Sequence, residues 1–211
     1  MKILPKVAAS MLLAIFSLPA LADSGWYVAA DVGQSHFTGG QFDAYHGALT
    51  TKSMSDSSTG YRLTGGYQFT PNWGLEAGYV DLGHGTATYT YQLSVVPDVS
   101  SRTQYRIGAK GLFVAGTGTY PITEQWSLYG RVGAVDGQLD IQAQTNGNIN
   151  LVGGSDTSWK GTYGVGAKWN FMPQLSLRLG WDRYLQLGPS SPSISQYDVS
   201  LLSLGVEWRF F

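Results

Sequence analysis

The sequence of 211 residues contains no cysteine. This absence excludes disulfide bonds, a thiol nucleophile and a cysteine-ligated metal. Charged residues are also scarce, at 13% of the chain, and their formal sum is −1, so the sequence offers no basic surface for nucleic acid. After residue 22 it lacks any apolar run of the roughly 18 residues that a membrane-spanning helix needs. Stability must therefore come from the fold itself, and no cofactor is predicted.

The N-terminal residues are typical of a secretory signal peptide. Two lysines precede an apolar stretch over about residues 7–18, and Ala-Leu-Ala at 20–22 forms a cleavage site of small residues. The apolar stretch is shorter than a transmembrane helix. We therefore predict a cleaved signal peptide at residues 1–22, export by the Sec translocon, and one mature domain at residues 23–211.

The C-terminal residues carry the most regular pattern in the chain. Every second residue is large and apolar, whereas the residues between are small, polar or charged. This period of two indicates a β-strand with one apolar and one polar face. A last strand that ends on an aromatic residue in this way is typical of bacterial outer-membrane β-barrels, so its apolar residues are a candidate assembly signal. They are Leu204, Val206, Trp208, Phe210 and Phe211.

Alternation with period two recurs along the chain and predicts about eight strands. Their connections alternate between tight turns with proline and long polar stretches, as in barrels with short periplasmic turns and long outer loops. A soluble β-sandwich is the alternative, but it has no reason to alternate so regularly. The turns lie at 70–72, 121–125 and 172–174, and the long connections at 38–58, 92–104, 141–158 and 186–197. The predicted strands are Trp26–Phe37, Thr59–Phe69, Trp73 to about Thr90, Tyr105–Tyr120, Trp126–Asp140, Trp159–Phe171, Leu175–Tyr184 and Leu202–Phe210.

Composition also favours a membrane barrel. The chain has 28 glycines and 13% aromatic residues, yet its mean hydropathy is only −0.07. A transmembrane barrel accounts for this combination, because lipid-facing apolar residues alternate with polar residues that face the lumen. The aromatic residues cluster beside the short turns, which predicts a girdle at one membrane interface. The predicted girdle consists of Trp26, Tyr67, Phe69, Trp73, Tyr120, Trp126, Trp169, Phe171, Trp208 and Phe210.

Four stretches carry a family resemblance, namely GWYVAADVGQS, GGYQFTPNWGLEAGYVDLG, YPITEQWSLYGRVG and LSLGVEWRF. Together they resemble the membrane domain of the outer membrane protein A family. The resemblance implies an all-β, eight-stranded antiparallel up-and-down transmembrane β-barrel in the bacterial outer membrane, with a lumen plugged by polar and charged side chains. It also implies that the barrel-assembly machinery recognises the final strand. The family's ion-pair pattern is rearranged, since Thr117 and Lys168 stand where a lysine and a glutamate would match.

Charged residues fall on the inward positions of the predicted strands. The interior of an eight-stranded barrel is just wide enough for side chains to fill, and buried charges persist only when they are paired. We therefore predict a lumen network centred on Glu76, Arg131, Lys168 and Arg178, with Glu207 nearer the periplasmic end. Such a network acts either as a structural plug or as the gate of a narrow pore. The charged residues predicted to face the lumen are Asp31, Arg62, Glu76, Arg131, Lys168, Arg178, Asp182, Glu207 and Arg209.

No catalytic or metal site is predicted. The histidines, His36, His46 and His84, lie in or near outer connections and have no diagnostic spacing to a nucleophile. Asp136 and Asp140 share one face of a strand but lack the ligand density of a calcium loop.

The predicted function lies in the cell envelope. The first long connection contains Phe42 and Tyr45, which could contact a host surface, a phage or another envelope protein, or meet lipid and lipopolysaccharide. We predict a non-enzymatic barrel, delivered by periplasmic chaperones, with a structural or surface-interaction role. A narrow gated pore for ions or small solutes is the alternative, and a lipid-modifying enzyme is a third possibility.

Overall fold

The structure is a computed structural model that describes residues 24–39, 49–92, 100–145, 148–151, 158–187 and 197–210. The predicted signal peptide, Phe42, Tyr45, His46 and Phe211 lie outside these ranges. The described residues form no helix that is long and apolar enough to cross a membrane.

Within these ranges the chain forms ten β-strands that close into an eight-stranded barrel. The count of eight arises because two of the ten strands extend a neighbour in sequence and do not add a strand to the wall. The second strand continues the line of the third beside the fourth, and the seventh continues the line of the eighth beside the sixth. The strands are β1 (Gly25–Gly39), β2 (Leu49–Ser55), β3 (Ser57–Gln68), β4 (Trp73–Gln92), β5 (Ser100–Pro121), β6 (Trp126–Thr145), β7 (Asn148–Leu151), β8 (Ser158–Asn170), β9 (Leu175–Leu187) and β10 (Tyr197–Arg209).

The barrel closes where the first strand meets the last. β1 and β10 pair antiparallel from Tyr27 opposite Arg209 to Gly39 opposite Tyr197. Around the rest of the wall β1 pairs with β3, then β4, β5, β6, β8, β9 and β10 follow, and every pairing is antiparallel. The predicted eight-stranded antiparallel barrel is confirmed, and the β-sandwich alternative is wrong because the sheet closes on itself.

The wall shows the polarity expected of a membrane barrel. Outward-facing apolar side chains are largely exposed, with Leu63 at 58%, Val132 at 72% and Leu202 at 55%. In a bilayer these side chains face hydrocarbon, which removes them from water without any protein partner. The predicted girdle residues lie at the strand ends beside the short turns, where Trp126 stacks on Trp169 at 5.8 Å between ring centroids.

The strands extend further outward than the sequence predicted. The long connections at 38–58 and 141–158 were predicted as loops, but residues 49–55 and 148–151 within them form β2 and β7. β5 likewise begins at Ser100 rather than at Tyr105. Beyond the lipid there is no need for apolar alternation, so strands held by backbone pairing alone leave no period-two signal.

The lipid-facing wall generates a first prediction. Val132 is exposed on β6, between Trp126 at the periplasmic end of the strand and Asp136 further outward on the same face. Val132→Lys therefore places a charge in hydrocarbon and should lower the free energy of unfolding by about 2 kcal/mol or more. Urea titration of the protein in lipid vesicles measures this change. Gln138→Lys, on the same face of the same strand but beyond Asp136, is the matched control. Because Lys110 stands opposite it on β5, a loss of no more than about 1 kcal/mol is expected. Equal effects of the two substitutions would contradict the assignment of Val132 to the lipid face.

Candidate functional site

Among the described residues, eight charged side chains inside the barrel are almost completely withdrawn from solvent. Four are cationic and four anionic, and none exposes more than 5% of its surface. Each stands on an inward position of its strand, so the alternation that turns apolar residues toward lipid turns these residues toward one another. They are Asp31, Arg62, Glu76, Arg131, Lys168, Arg178, Asp182 and Glu207.

Six of these side chains form a closed cycle of alternating charge, which we call the ion-pair ring. Its members are Arg178, Glu76, Arg131, Asp182, Arg62 and Asp31.

Glu76 joins the two arginines of one half of the ring. Its Oε1 lies 3.2 Å from Nη2 of Arg178, and its Oε2 lies 3.0 Å from Nη1 of Arg131. Nε of Arg131 then contacts Oδ1 of Asp182 at 2.7 Å. The carboxylate of Glu76 is therefore shared, and its removal would leave two guanidinium groups without that partner.

Arg62 joins the two aspartates of the other half. Its Nη1 lies 2.7 Å from Oδ2 of Asp182, and its Nη2 lies 3.0 Å from Oδ2 of Asp31. The cycle closes more loosely, since Nε of Arg178 is 3.9 Å from Oδ1 of Asp31. The buried charges thus have opposite charges on both sides, which offsets the cost of taking them out of water.

Glu207 attaches a short branch to the ring on its periplasmic side. Nζ of Lys168 donates to Oε1 of Glu207 at 2.7 Å, and Nη1 of Arg178 lies 3.3 Å from Oε2. Lys168 and Arg178 are direct neighbours on β8 and β9, so the carboxylate between them separates two like charges. Arg209 was predicted inside the lumen, but its side chain is 31% exposed at the periplasmic mouth. From there its Nη2 lies 3.5 Å from Oε1 of Glu207. The structure therefore brings the five predicted network residues, Glu76, Arg131, Lys168, Arg178 and Glu207, together.

Sequence reasoning gave too little weight to half of the ring. Asp31, Arg62 and Asp182 were predicted to face the lumen but not to form the centre of the network. Their strands β1, β3 and β9 are not all neighbours, so only the closed barrel shows that Arg62 reaches Asp182 across the lumen.

Two lumen tyrosines were missed altogether. The hydroxyl of Tyr27 donates to Oε1 of Glu76 at 3.0 Å, and Nη2 of Arg131 donates to the hydroxyl of Tyr129 at 3.2 Å. The Tyr129 ring also lies 5.2 Å from the guanidinium carbons of both Arg131 and Arg178. Both tyrosines occupy inward positions, so strict alternation could have found them, although aromatic residues were expected to face lipid.

The outer half of the lumen is filled differently, by a buried apolar cluster that we call the apolar seal. On β10, for example, Val199 and Leu201 are fully buried on the outer side of Glu207. The sequence analysis did not predict this cluster because it assigned apolar positions to the lipid face. Here the phase is reversed, since Val199 and Leu201 are buried and Ser200 between them is not. Its members are Phe37, Val80, Leu82, Ile107, Ala109, Phe113, Ala115, Val135, Tyr184, Leu187, Tyr197, Val199 and Leu201.

The histidine His36 makes a loose contact on the outer wall. His36 places Nδ1 3.4 Å from Oγ of Ser57 and Nε2 3.5 Å from Oδ2 of Asp56. These side chains are exposed, and the nearby amide of Phe37 donates to the carbonyl of Asp56 rather than lying free to stabilise an oxyanion.

Metal ligands do not assemble in the described part of the chain. No three histidine, aspartate or glutamate side chains meet there in an arrangement that could hold an ion. Asp140 is instead paired with Lys110 at 3.0 Å.

Comparison with known proteins assigns the family. The family model for the outer membrane protein β-barrel domain matches residues 8–210. The chain belongs to this family. Outer membrane protein A from Escherichia fergusonii and from Shigella dysenteriae are each 28% identical to this outer-membrane barrel over 207 residues, which cover 97% of this chain and 54% of theirs. The chain thus spans about half the length of the curated relatives it matches.

A solved structure shows the same fold. The crystal structure of Neisserial surface protein A matches with a TM-score of 0.52 at 17% identity, covering 89% of this chain and 99% of that one. The protein is accordingly a β-barrel of the bacterial outer membrane.

The shared carboxylate of Glu76 gives a second prediction. Glu76→Ala leaves Arg131 and Arg178 with uncompensated buried charge and should lower the free energy of unfolding by about 3 kcal/mol. Urea titration of the folded barrel measures the loss. Glu124→Ala removes an exposed glutamate from a short turn and serves as the matched control. An unchanged unfolding midpoint for Glu76→Ala would show that this carboxylate is not part of a buried network.

Proposed function

We propose that this outer-membrane barrel is a non-enzymatic envelope protein whose lumen is closed, and that it acts as a rigid structural or surface-interaction scaffold for its outer loops. The observation that carries the proposal is the filling of the lumen by two successive layers. The ion-pair ring with its Glu207 branch fills one layer, and the apolar seal fills the other.

The energetics of the ring favour a plug over an open channel. Breaking a buried pair by removing one partner costs about 3–5 kcal/mol. If a passage required one pair of the ring to open at a similar cost, the open form would amount to roughly one molecule in a hundred to one in several thousand. The matched charges of the ring, three positive and three negative, also give a passing ion no net attraction.

The outer side of the barrel offers a platform for surface contacts. β4, β5 and β6 contain 20, 22 and 20 residues, and β2 and β7 pair with the outer parts of β4 and β6. Loops carried on such a rigid sheet are the usual sites of recognition. Lipid and lipopolysaccharide surround this end of the barrel, and a host surface or a phage is the proposed ligand of its loops.

A narrow gated pore is a second candidate, favoured by the shared carboxylates. Glu76 serves two arginines, and Glu207 serves Lys168 and Arg178, so each could change partner without losing all its pairing. A small cavity also lies between the network and the periplasmic mouth, and Thr117 contributes to its lining.

The terminal strand supports the proposed route of assembly. Leu204, Val206, Trp208 and Phe210 point outward from the strand that closes the barrel, and each exposes 44% to 55% of its surface. An apolar strand face of this kind is what the barrel-assembly machinery would recognise after delivery by the Sec translocon and periplasmic chaperones. The proposal extends to Phe211, which lies outside the described residues.

Conductance in a planar lipid bilayer tests the closed lumen. The refolded protein should give no discrete current steps, and the Glu76→Ala, Arg178→Ala double variant reports whether the ring controls any current that appears. Folding of both proteins is checked by circular dichroism. Reproducible steps whose size or open time changes in the double variant would overturn the plug and establish the pore.

Loop replacement tests the surface role. Because β2 begins at Leu49, residues 40–48 can be replaced by a glycine-serine linker without altering a described strand. We expect adhesion of bacteria that express the protein to cultured epithelial cells to fall to the level of cells without it, while the free energy of unfolding is kept. A glycine-serine replacement of Thr123, Glu124 and Gln125, in a turn on the periplasmic side, is the control. Unchanged adhesion would remove this loop from the proposed function.

A further inference from the structure

Two irregularities of the sheet lie in the outer part of the barrel wall. Both are β-bulges, in which two residues of one strand stand opposite one residue of its neighbour. One lies in β4 and the other in β9, and both are close to residues of the seal.

The bulge in β4 is held by an aspartate. Asp81 pairs with Lys110 and His84 with Gly108, so Leu82 and Gly83 share one opposite residue. Gly83 has a φ of +71°, which glycine adopts without strain. Its amide donates to Oδ1 of Asp81 at 2.8 Å.

The bulge in β9 is also held by an aspartate, in this case one on the neighbouring strand β10. Tyr184 pairs with Val199 and Leu187 with Tyr197, so two β9 residues stand opposite Asp198. One of them, Gln186, has a φ of 51°, an unfavourable conformation for a residue with a side chain.

A carboxylate offsets that unfavourable conformation. The amide of Gln186 donates to Oδ1 of Asp198 at 2.9 Å, and Nη2 of Arg183 donates to Oδ2 at 3.0 Å. Asp198 therefore binds both the bulged residue and a neighbouring side chain of the same strand.

These bulges change which side chains enter the lumen. In β9, Tyr184 points into the lumen, and regular alternation would point Gln186 into the lumen as well. Because of the extra residue, Gln186 is exposed and Leu187 is buried in its place. In β4, Leu82 points inward, and regular alternation would bring in His84, which the extra residue turns to the outside. Each bulge thus keeps a polar side chain out of the apolar seal.

We propose that the apolar seal closes the lumen from the outside, and that Asp81 and Asp198 keep it closed by fixing the phase of β4 and β9. The inference rests on the proposed closed lumen and goes beyond it, because it assigns the outer barrier to the seal and not to the ion-pair ring. An apolar constriction excludes water and hydrated ions without any charged gate. By keeping water from the ring, the seal also strengthens the ion pairs beneath it.

The absence of cysteine makes the seal directly testable. Leu201 is fully buried in the seal, so Leu201→Cys introduces a single thiol there. A charged, membrane-impermeant maleimide is added to intact cells that display the protein, and the rate of labelling is measured. We expect slow labelling in the otherwise unchanged chain. Arg106→Cys, at an exposed position of β5, should be labelled rapidly in every background.

Removing the two carboxylates should open the seal. Asp81→Ala together with Asp198→Ala should raise the labelling rate of Leu201→Cys by about tenfold or more, as expected when charge-assisted hydrogen bonds no longer hold the closed form. Asp81→Asn with Asp198→Asn keeps an acceptor oxygen at both positions and should remain slow. Glu124→Ala removes an exposed carboxylate from a periplasmic turn, at the opposite end of the barrel from both bulges, and it should leave the rate unchanged.

A rescue experiment separates bulge geometry from a general loss of stability. In the single Asp198→Ala variant, Gln186→Gly should restore slow labelling, because glycine adopts a positive φ without help from a carboxylate. Comparison of Asp198→Ala with and without Gln186→Gly also tests the proposal if the double aspartate variant fails to fold. Labelling that stays fast after Gln186→Gly would overturn the role assigned to Asp198.

Two outcomes distinguish this inference from the proposed function. Rapid labelling of Leu201→Cys in the otherwise unchanged chain would overturn the seal even if the barrel conducts no current, since the ring alone would then be the barrier. Current steps in the unchanged protein together with slow labelling would overturn the proposed closed lumen, and they would also overturn the seal as its outer barrier.

Discussion

The structure depends on one constraint, which is that a bilayer offers no hydrogen-bond partner to a backbone amide or carbonyl. A sheet can satisfy every such group in hydrocarbon only by closing on itself, and the pairing of β1 with β10 achieves this closure. Once the wall is closed, each residue faces either lipid or lumen. The same alternation that exposes Val132 therefore buries Arg131. Exposed apolar residues and buried charges are two results of one geometry.

Closure places opposite charges from separate strands within contact distance. Asp182 on β9 receives both Arg62 from β3 and Arg131 from β6, although these strands are far apart in sequence. The resulting ring occupies the middle of the lumen, and the apolar seal lies on its outer side. In the proposed closed lumen, the two layers act by different physical means. One relies on paired charges, and the other on the exclusion of water.

Much of the fold was predictable because alternation is a local property. The pattern of Leu204, Val206 and Trp208 indicates both a strand and its lipid-facing side, and the short proline turns indicate antiparallel neighbours. Local patterns were less informative at the outer end. β2 and β7 were missed because strands outside the lipid need no apolar face. The phase change at Gln186 was missed because it accompanies a hydrogen bond to Asp198, twelve residues away.

The sequence by itself determined the class of fold, the cellular location and eight of the nine charges predicted to face the lumen, the exception being Arg209 at the periplasmic mouth. These follow from the period of two and from composition, both of which can be seen along the chain. Only the tertiary structure decided which charges meet, that Tyr27 and Tyr129 join them, and that two aspartate-held bulges complete an apolar seal. The reason is that distances across a lumen depend on strand register and on closure, and neither is encoded in any single segment.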